Sequence, residues 1–352
     1  MPPPRVLVLY NQPVLPADHP DAGSEHDILD TVDGTARTLA AAGFDAPRLA
    51  IGHDPQPLLD ELKAHPPDAV FNLFEGLATQ PATEVSVAAL LEWLNVPFTG
   101  CPSAALALGR DKVRTKHLLA AAGIPTPAYQ VIDPALGPAG RWAGGWPAIV
   151  KPACQDASVG IDQASVVTTQ KELDARVRHV VRKYGPPVLV EEFVFGREFH
   201  ANLVEDGAGN LTLLPLAEIG FTGDRPGLWP VYTFTAKWHV DSDEYQHAPL
   251  LSPVAIPDDA FGRLRGIGEQ AFRLLGCRDY ARLDVRMTEA GGFAVLEVNP
   301  NPYLDSLALV NGLAAIGRTH EGLVVDMALA AVARGGKTVP PGVITVPAPA
   351  AV

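Results

Sequence analysis

The stretch YARLDVRMTEAGGFAVLEVNPN, residues 280–301, constrains the chain more than any other. Two apolar, strand-forming runs flank Glu289-Ala290-Gly291-Gly292, a sequence suited to a hairpin turn. A turn centred on Ala290 and Gly291 sets Asp284 opposite Glu297 and Arg282 opposite Asn299. The two-residue period of a strand then puts all four on one face. Facing carboxylates repel, which weakens a hairpin unless a cation lies between them. Asp284, Glu297 and Asn299 offer hard oxygens suited to magnesium, which usually bridges to phosphate oxygens, and Arg282 would face the same negative charge. Taken alone, the residues describe a solvated hairpin face equally well, with Asn299 serving the break at Pro300-Asn301-Pro302.

Upstream, the pattern alternates. RVLVLYN (5–11) and DAVFNLFEG (68–76) read as buried strands; 31–46, stopped by Gly43, and 83–95 read as helices. Strands alternating with helices argue for a parallel α/β lobe ending near Gly100. DKVRTKHLLAAAGI (111–124) opens a second lobe with a helix that breaks at Gly123. AYQVI follows, then a Gly/Pro/Trp-rich connection over 134–147, and two strands, AIVKP and PVLVEEFV, flank a basic helix around 170–184. A third lobe carries strands near 198–204 and 211–217, an irregular segment from about 219 to 253 and a helix over 258–275 before the hairpin. A chain of 352 residues exceeds one ordinary core. The expected division is 1–104, 105–190 and 191–336, with 337–352 as a poorly packed tail.

A formal net charge of −13 argues against nucleic acid or an anionic membrane as partner, because neutralising phosphates takes clustered Lys and Arg. Cys101, Cys154 and Cys277 are an odd, widely spaced set, which indicates neither a disulfide framework nor a zinc site and fits a reducing cytoplasm. The apolar run Val6 to Tyr10 is too short for a signal-peptide core, so a soluble cytoplasmic protein is expected.

Several other positions could carry chemistry. Lys151 ends an apolar strand and is followed by Ala157, Ser158 and Gly160, small residues that let backbone N–H groups approach a phosphate; a strand-end lysine is also commonly just solvated. In VEEFVFGREF, Glu191, Phe193, Val194 and Glu198 could offer backbone groups to a base edge and a carboxylate to ribose, or form an ordinary edge strand. Lys112 opens a helix, and Lys237 lies in the irregular segment.

Taken in order, Asp111-Lys112, IVKP with SVG, VEEFV with Glu198, TAKW, and ARLDV with LEVNPNP resemble the ATP-grasp superfamily, especially D-alanine–D-alanine ligases, over roughly residues 5–330. The resemblance implies an α/β, three-lobed ATP-grasp fold: an N-terminal parallel α/β lobe, a central lid lobe and a C-terminal α+β lobe. It implies that Lys112, Lys151 and Lys237 touch the phosphates of ATP, while Glu191, Phe193, Val194 and Glu198 hold the nucleoside. Asp284, Glu297 and Asn299 would bind two magnesium ions, with manganese as an alternative. Arg282, with Lys237 and Ser158, would steady an acyl phosphate and the tetrahedral intermediate. The implied enzyme is an ATP-dependent carboxylate–amine ligase acting on amino acids or peptides, and a homodimer.

The chain departs from that pattern around the substrates. GSEHDI (23–28) sets Glu25 where the family holds a substrate ammonium, although a surface loop would also carry such a residue. The first of two consecutive serines is Ala157, leaving Ser158, and the tyrosine after the lysine of TAKW is Trp238. After NPNP the chain reads Tyr303, Leu304, Asp305, Ser306, and an acidic Asp305 there would repel a free carboxylate unless it points away. These changes point away from D-alanine as acceptor. A D-alanine–D-alanine ligase with a divergent pocket, a kinase of a small alcohol and an ATP-binding regulatory protein without catalysis are the other readings.

Overall fold

The computed structural model describes residues 2–13, 28–77, 79–136, 140–155, 158–221, 227–339 and 344–345. Glu25, Ala157 and the end of the tail lie outside them. Three sheets follow one another along the chain.

The first is parallel. β1 (Val6–Asn11), α1 (Ile28–Ala42), β2 (Arg48–Ile51), α2 (Gln56–Ala64) and β3 (Ala69–Leu73) give the order β2-β1-β3. Val6, Val8 and Leu9 are fully enclosed, as expected of a strand covered on both faces. α1 buries Val32, Ala36 and Leu39 at helical spacing and stops at Gly43, whose φ of 111° a side chain would resist. α3 (Thr83–Trp93), α4 (Ser103–Gly109) and α5 (Lys112–Ala121) lead into the next sheet. Asp111 caps α5, accepting a hydrogen bond from the Arg114 N–H at 2.9 Å.

The second sheet is antiparallel, β4-β7-β5-β6, from β4 (Tyr129–Ile132), β5 (Ala148–Pro152), β6 (Val166–Val167) and β7 (Val188–Glu192). α6 (Gln170–Tyr184) covers it with Leu173, Val177 and Val180. Its basic last turn, Arg182 and Lys183, suits the negative end of the helix dipole.

The third sheet comprises β8 (Arg197–Glu205), β9 (Leu211–Leu213), β10 (Leu216–Ile219), β11 (Leu250–Val254), β12 (Tyr280–Met287) and β13 (Phe293–Pro300), ordered β11-β10-β8-β12-β13 with β9 beside β8. The strand expected over 211–217 is two strands, separated at Leu214-Pro215, where proline lacks the N–H a ladder needs. The segment expected to be irregular holds α7 (Phe234–Trp238), α8 (Asp243–Gln246) and β11. α9 (Asp258–Leu274) backs the sheet, burying Leu264, Ala271 and Phe272, and α10 (Leu307–Ala315) and α11 (His320–Arg334) close the fold. Val339 and Ile344 pack against the core beneath the first sheet, and the Thr345 N–H donates to the Ala42 carbonyl at 3.0 Å. No helix among the described residues is long and apolar enough to cross a membrane.

A seam joins the first and third sheets. The buried carboxylate of Asp279 accepts from the Gly100 N–H at 2.7 Å and from both terminal nitrogens of Arg334 at 2.8 and 2.9 Å. Arg278 and Arg334 also donate to the Phe98 carbonyl, at 3.1 and 2.8 Å. Asn301 accepts from the Cys101 N–H at 2.7 Å, and Pro300 lies against Gly109 so closely that a Cβ there would come within 2.4 Å of it. The turn after Asn299 is therefore held by two other parts of the chain.

Candidate active site

The hairpin forms with Asp284 paired to Glu297 and Arg282 to Asn299, the register that turn counting gives. Nearer the turn the pairs are Met287–Phe293 and Arg286–Ala294, one residue out of phase. The turn is thus centred on Ala290 alone, and a bulge at Leu296 restores the register of the functional pairs. β8 lies on the other side of β12, with His200 beside Asp284 and Asn202 beside Arg282.

Charges meet in that floor. Arg282 grips Asp284 through Nε and Nη2, at 2.6 and 3.0 Å, and the Asn299 amide nitrogen donates to Asp284 at 3.2 Å, leaving the amide oxygen of Asn299 as a donor atom for a ligand. Lys112, from the first turn of α5, pairs with Glu297 at 3.1 Å. Burial raises Asp284 to about 6, with Glu297 adding and Arg282 opposing. Burial also opposes ionisation of Glu297, but Lys112, Asp284 and Lys151 hold it well below the usual carboxylate range. Below about pH 6 a proton therefore rests on Asp284 while Glu297 is charged, and a divalent ion would compete with that proton. Burial, Arg282 and Lys237 push His200 well below the ordinary imidazole value, so it is neutral. No cluster of three His, Cys, Asp or Glu side chains stands ready for a metal among the described residues; the hard-oxygen set is the two carboxylates and Asn299, a donor chemistry that fits magnesium.

Above the floor, Lys151 at the end of β5 pairs with Glu191 of β7 at 2.6 Å. The other oxygen of Glu191 is 2.6 Å from Lys116, a residue not anticipated from the sequence. Glu198 is also engaged: Arg286 donates to its Oε2 from Nε and Nη2, at 2.9 and 2.7 Å. Arg286 further holds the carbonyls of Val194 and Pro230 and lies over the ring of Phe193, 4.7 Å from its centroid. Phe193 joins Ile149, Val166 and Val231 in a small apolar cluster between the central sheet and the loop that precedes α7, the surroundings a planar base needs.

Two loops clasp each other across the cleft. Ser158, at φ 62°, donates to the Tyr232 carbonyl at 3.0 Å, the Phe234 N–H donates to the Ile161 carbonyl at 3.1 Å, and the Trp229 N–H donates to Gln163 at 2.8 Å. Lys237 on α7 lies 5.2 Å from the ring centroid of Trp238. Tyr303 is tied to the first lobe, its hydroxyl accepting from Thr31 at 3.1 Å. Asp305 turns to His320 at 3.2 Å. Ser306 is the N-cap residue of α10, in extended conformation, yet its buried hydroxyl has no hydrogen-bond partner among the described residues. Glu75, just past β3, is solvent-accessible yet crowded by surrounding atoms, and that desolvation with Glu84 raises its carboxyl to about 7 against the opposing charge of Lys237.

A family model described as "D-ala D-ala ligase C-terminus" matches residues 118–328. A D-alanine–D-alanine ligase of Alcanivorax borkumensis is 36% identical over 271 residues, 76% of this chain and 78% of the relative. The corresponding protein of Saccharophagus degradans is 32% identical over 308 residues, 87% of either chain.

The chain belongs to the D-alanine–D-alanine ligase family.

It is accordingly an ATP-dependent carboxylate–amine ligase, an enzyme that forms an amide bond. The fold agrees. The crystal structure of a D-alanine–D-alanine ligase from Bacillus anthracis complexed with ATP superposes with a TM-score of 0.65 at 19% identity, over 94% of this chain and 97% of that one, which establishes the ATP-grasp architecture.

Residues unanticipated in this ligase carried signals at strand and helix spacing. Arg286 continues the alternation Arg282, Asp284 along β12, and His200 with Asn202 continues that of Glu198 along β8. Lys116 is four residues after Lys112, hence on the same face of α5.

Proposed function

We propose that the chain uses ATP to activate the carboxylate of one amino acid and joins it to the amine of a second that retains its own carboxylate. The carrying observation is the convergence of Arg282, Asp284, Glu297 and Asn299 from one hairpin with Lys112 from α5, beside Lys151 from β5. A carboxylate is a poor electrophile. Transfer of the terminal phosphoryl group of ATP to it leaves ADP and gives an acyl phosphate. Attack by the amine nitrogen forms the C–N bond as the C–O bond to phosphate breaks, releasing phosphate and a proton. Asp284, Glu297 and Asn299 would hold magnesium, as two ions or with manganese in its place, and the metal would supply Lewis-acid neutralisation of phosphate oxygens. Lys112, Lys151 and Lys237 bind phosphate, Phe193 and Val194 wall the base, and Glu198 faces the ribose. Arg282 offsets charge on the carbonyl oxygen as it becomes tetrahedral. The clasp between Ser158 and Tyr232 excludes water that would hydrolyse the acyl phosphate.

Glu25 and Glu75 are first-lobe carboxylates suited to a substrate ammonium. The acceptor's carboxylate has a counterpart in Ser306: a hydroxyl at the start of α10 with no partner among the described residues supplies a donor where the helix dipole favours an anion. Asp305 lies 3.2 Å from the His320 ring, which offsets its charge when the imidazole is protonated. These observations favour a second reading as well, in which both substrates are D-alanine. Trp238, Tyr303 and Leu307, 39%, 37% and 64% exposed, give the rim more apolar surface than a methyl group needs, so larger amino acids or short peptides come first. We place the enzyme in the cytoplasm as a homodimer, checked by light scattering.

The test is a panel of amino acids and dipeptides with ATP and magnesium, read by mass spectrometry and by ADP release, with hydroxylamine to trap the acyl phosphate. A condensed product with stoichiometric ADP is expected. ADP release without condensed product or hydroxamate, or a stable phosphorylated alcohol, would sink the ligase reading. The dipeptide from D-alanine alone would select the second one.

A further inference from the structure

Lys116 has no part in the chemistry just described, yet it is among the most enclosed charged groups of the chain, 1% exposed. Its ammonium lies 2.6 Å from Glu191, 2.6 Å from the Thr126 hydroxyl and 3.0 Å from the Val295 carbonyl. The Thr126 hydroxyl in turn donates to the same carbonyl at 2.9 Å, so Lys116 is anchored independently of Glu191. Glu191 is wholly buried and sits between two lysines, one on each oxygen, at angles poor for hydrogen bonding. Charge rather than direction holds the group together.

Its three charges have unequal access. The Lys116 side chain is 2% exposed and that of Lys151 is 17%, so Lys151 is the member a ligand can reach. With Lys116 in place, the carboxylate is matched from inside and one net positive charge remains at Lys151. Without Lys116, Glu191 and Lys151 would cancel, and a triphosphate would meet a neutral pair. We propose that Lys116 is a positioning residue for the nucleotide, the internal counter-ion of Glu191 that leaves the charge of Lys151 available to phosphate. This rests on the reading of Lys151 as a phosphate ligand. It also gives Glu191 a role other than the nucleoside contact expected from the sequence.

The experiment measures ATP affinity with magnesium by equilibrium dialysis for Lys151→Met, Lys116→Met, Glu191→Gln and the double variant Lys116→Met/Glu191→Gln, with circular dichroism as a check of fold. Lys151→Met should weaken ATP about ten-fold, as loss of one charged hydrogen bond does. Lys116→Met should weaken it similarly without having touched the nucleotide. Adding Glu191→Gln to Lys116→Met should recover most of the loss, a reversal that a merely structural lysine would not produce. A double variant as weak as Lys116→Met, or weaker, overturns the inference, as does wild-type affinity in Lys116→Met. Unchanged affinity in Lys151→Met would instead bring down the phosphate reading, and the inference with it. If Lys116→Met does not fold, Glu191→Gln alone decides: affinity at or above wild type supports the proposal, and a ten-fold loss refutes it.

Discussion

The floor of the site and its rim are built by different means. In the floor, side chains stand in rows across β8, β12 and β13: Asn202–Arg282–Asn299, His200–Asp284–Glu297, and Glu198–Arg286 beside Ala294. Their places follow from strand register, which one substitution cannot shift. The rim consists of α7, five residues long, α8, four residues long, and the turn from Tyr303 to Ser306, carrying exposed aromatic and aliphatic groups. Helices that short have little stability of their own and take their shape from neighbours. Phosphoryl chemistry therefore sits on a frame that tolerates little, while the choice of substrate sits on pieces that can change separately.

The sharpest way to break this contrast is Glu297→Gln. It should lower kcat about a thousand-fold with the fold intact, since it removes a charge aimed at the transferring group; ADP release within ten-fold of wild type would show that the floor is not the seat of catalysis. Next is Arg286→Met, which leaves Glu198 buried without its partner and should reduce stability by about 3–5 kcal/mol in urea unfolding. Removing Arg273, whose own side chain is half exposed, from its pair with Glu205 should cost less, about 1 kcal/mol. A smaller effect concerns pH. Asp284 keeps its proton up to about 6, so magnesium must displace it below that value. Affinity should fall about five-fold as pH drops from 6 to 5 and level off about one unit above 6, followed by manganese titration with electron paramagnetic resonance. A flat profile would mean that the floor is ionised without metal. The rim should respond least: Trp238→Ala and Tyr303→Phe should move the acceptor KM about three- to ten-fold and leave the KM for ATP unchanged, in keeping with the loss of about 1 kcal/mol of contact or of the Thr31 hydrogen bond. An equal shift in both constants would erase the distinction.

The same contrast governs what could be read from the sequence. Strand alternation puts Arg282, Asp284 and Arg286 on one face because that rule acts locally, whereas turn counting reaches the pair Asp284–Glu297 from a turn centre half a residue off, and only the bulge brings the two into agreement; α6 spans the expected 170–184 because a cap, an apolar stripe and Gly185 agree. The bulge at Leu296 was not legible, since it answers to packing from other elements, including the Pro125 carbonyl that takes the Val295 N–H. Glu191 and Glu198 were found, but not their engagement: pairing with Lys116 and Arg286 depends on how distant segments meet. α10 and α11 escaped notice because apolar residues surround them almost entirely and blur the helical period.

The seam at Gly100 and Cys101 has a consequence outside chemistry. Asp279, Arg278, Arg334 and Asn301 converge there on backbone groups from the end of the first lobe, far along the chain from their own positions. In genetic terms this is where heat-sensitive alleles should arise. A chain altered at Arg334 would carry every group needed for turnover, work at low temperature and fail on warming, when two distant parts of one polypeptide no longer stay joined.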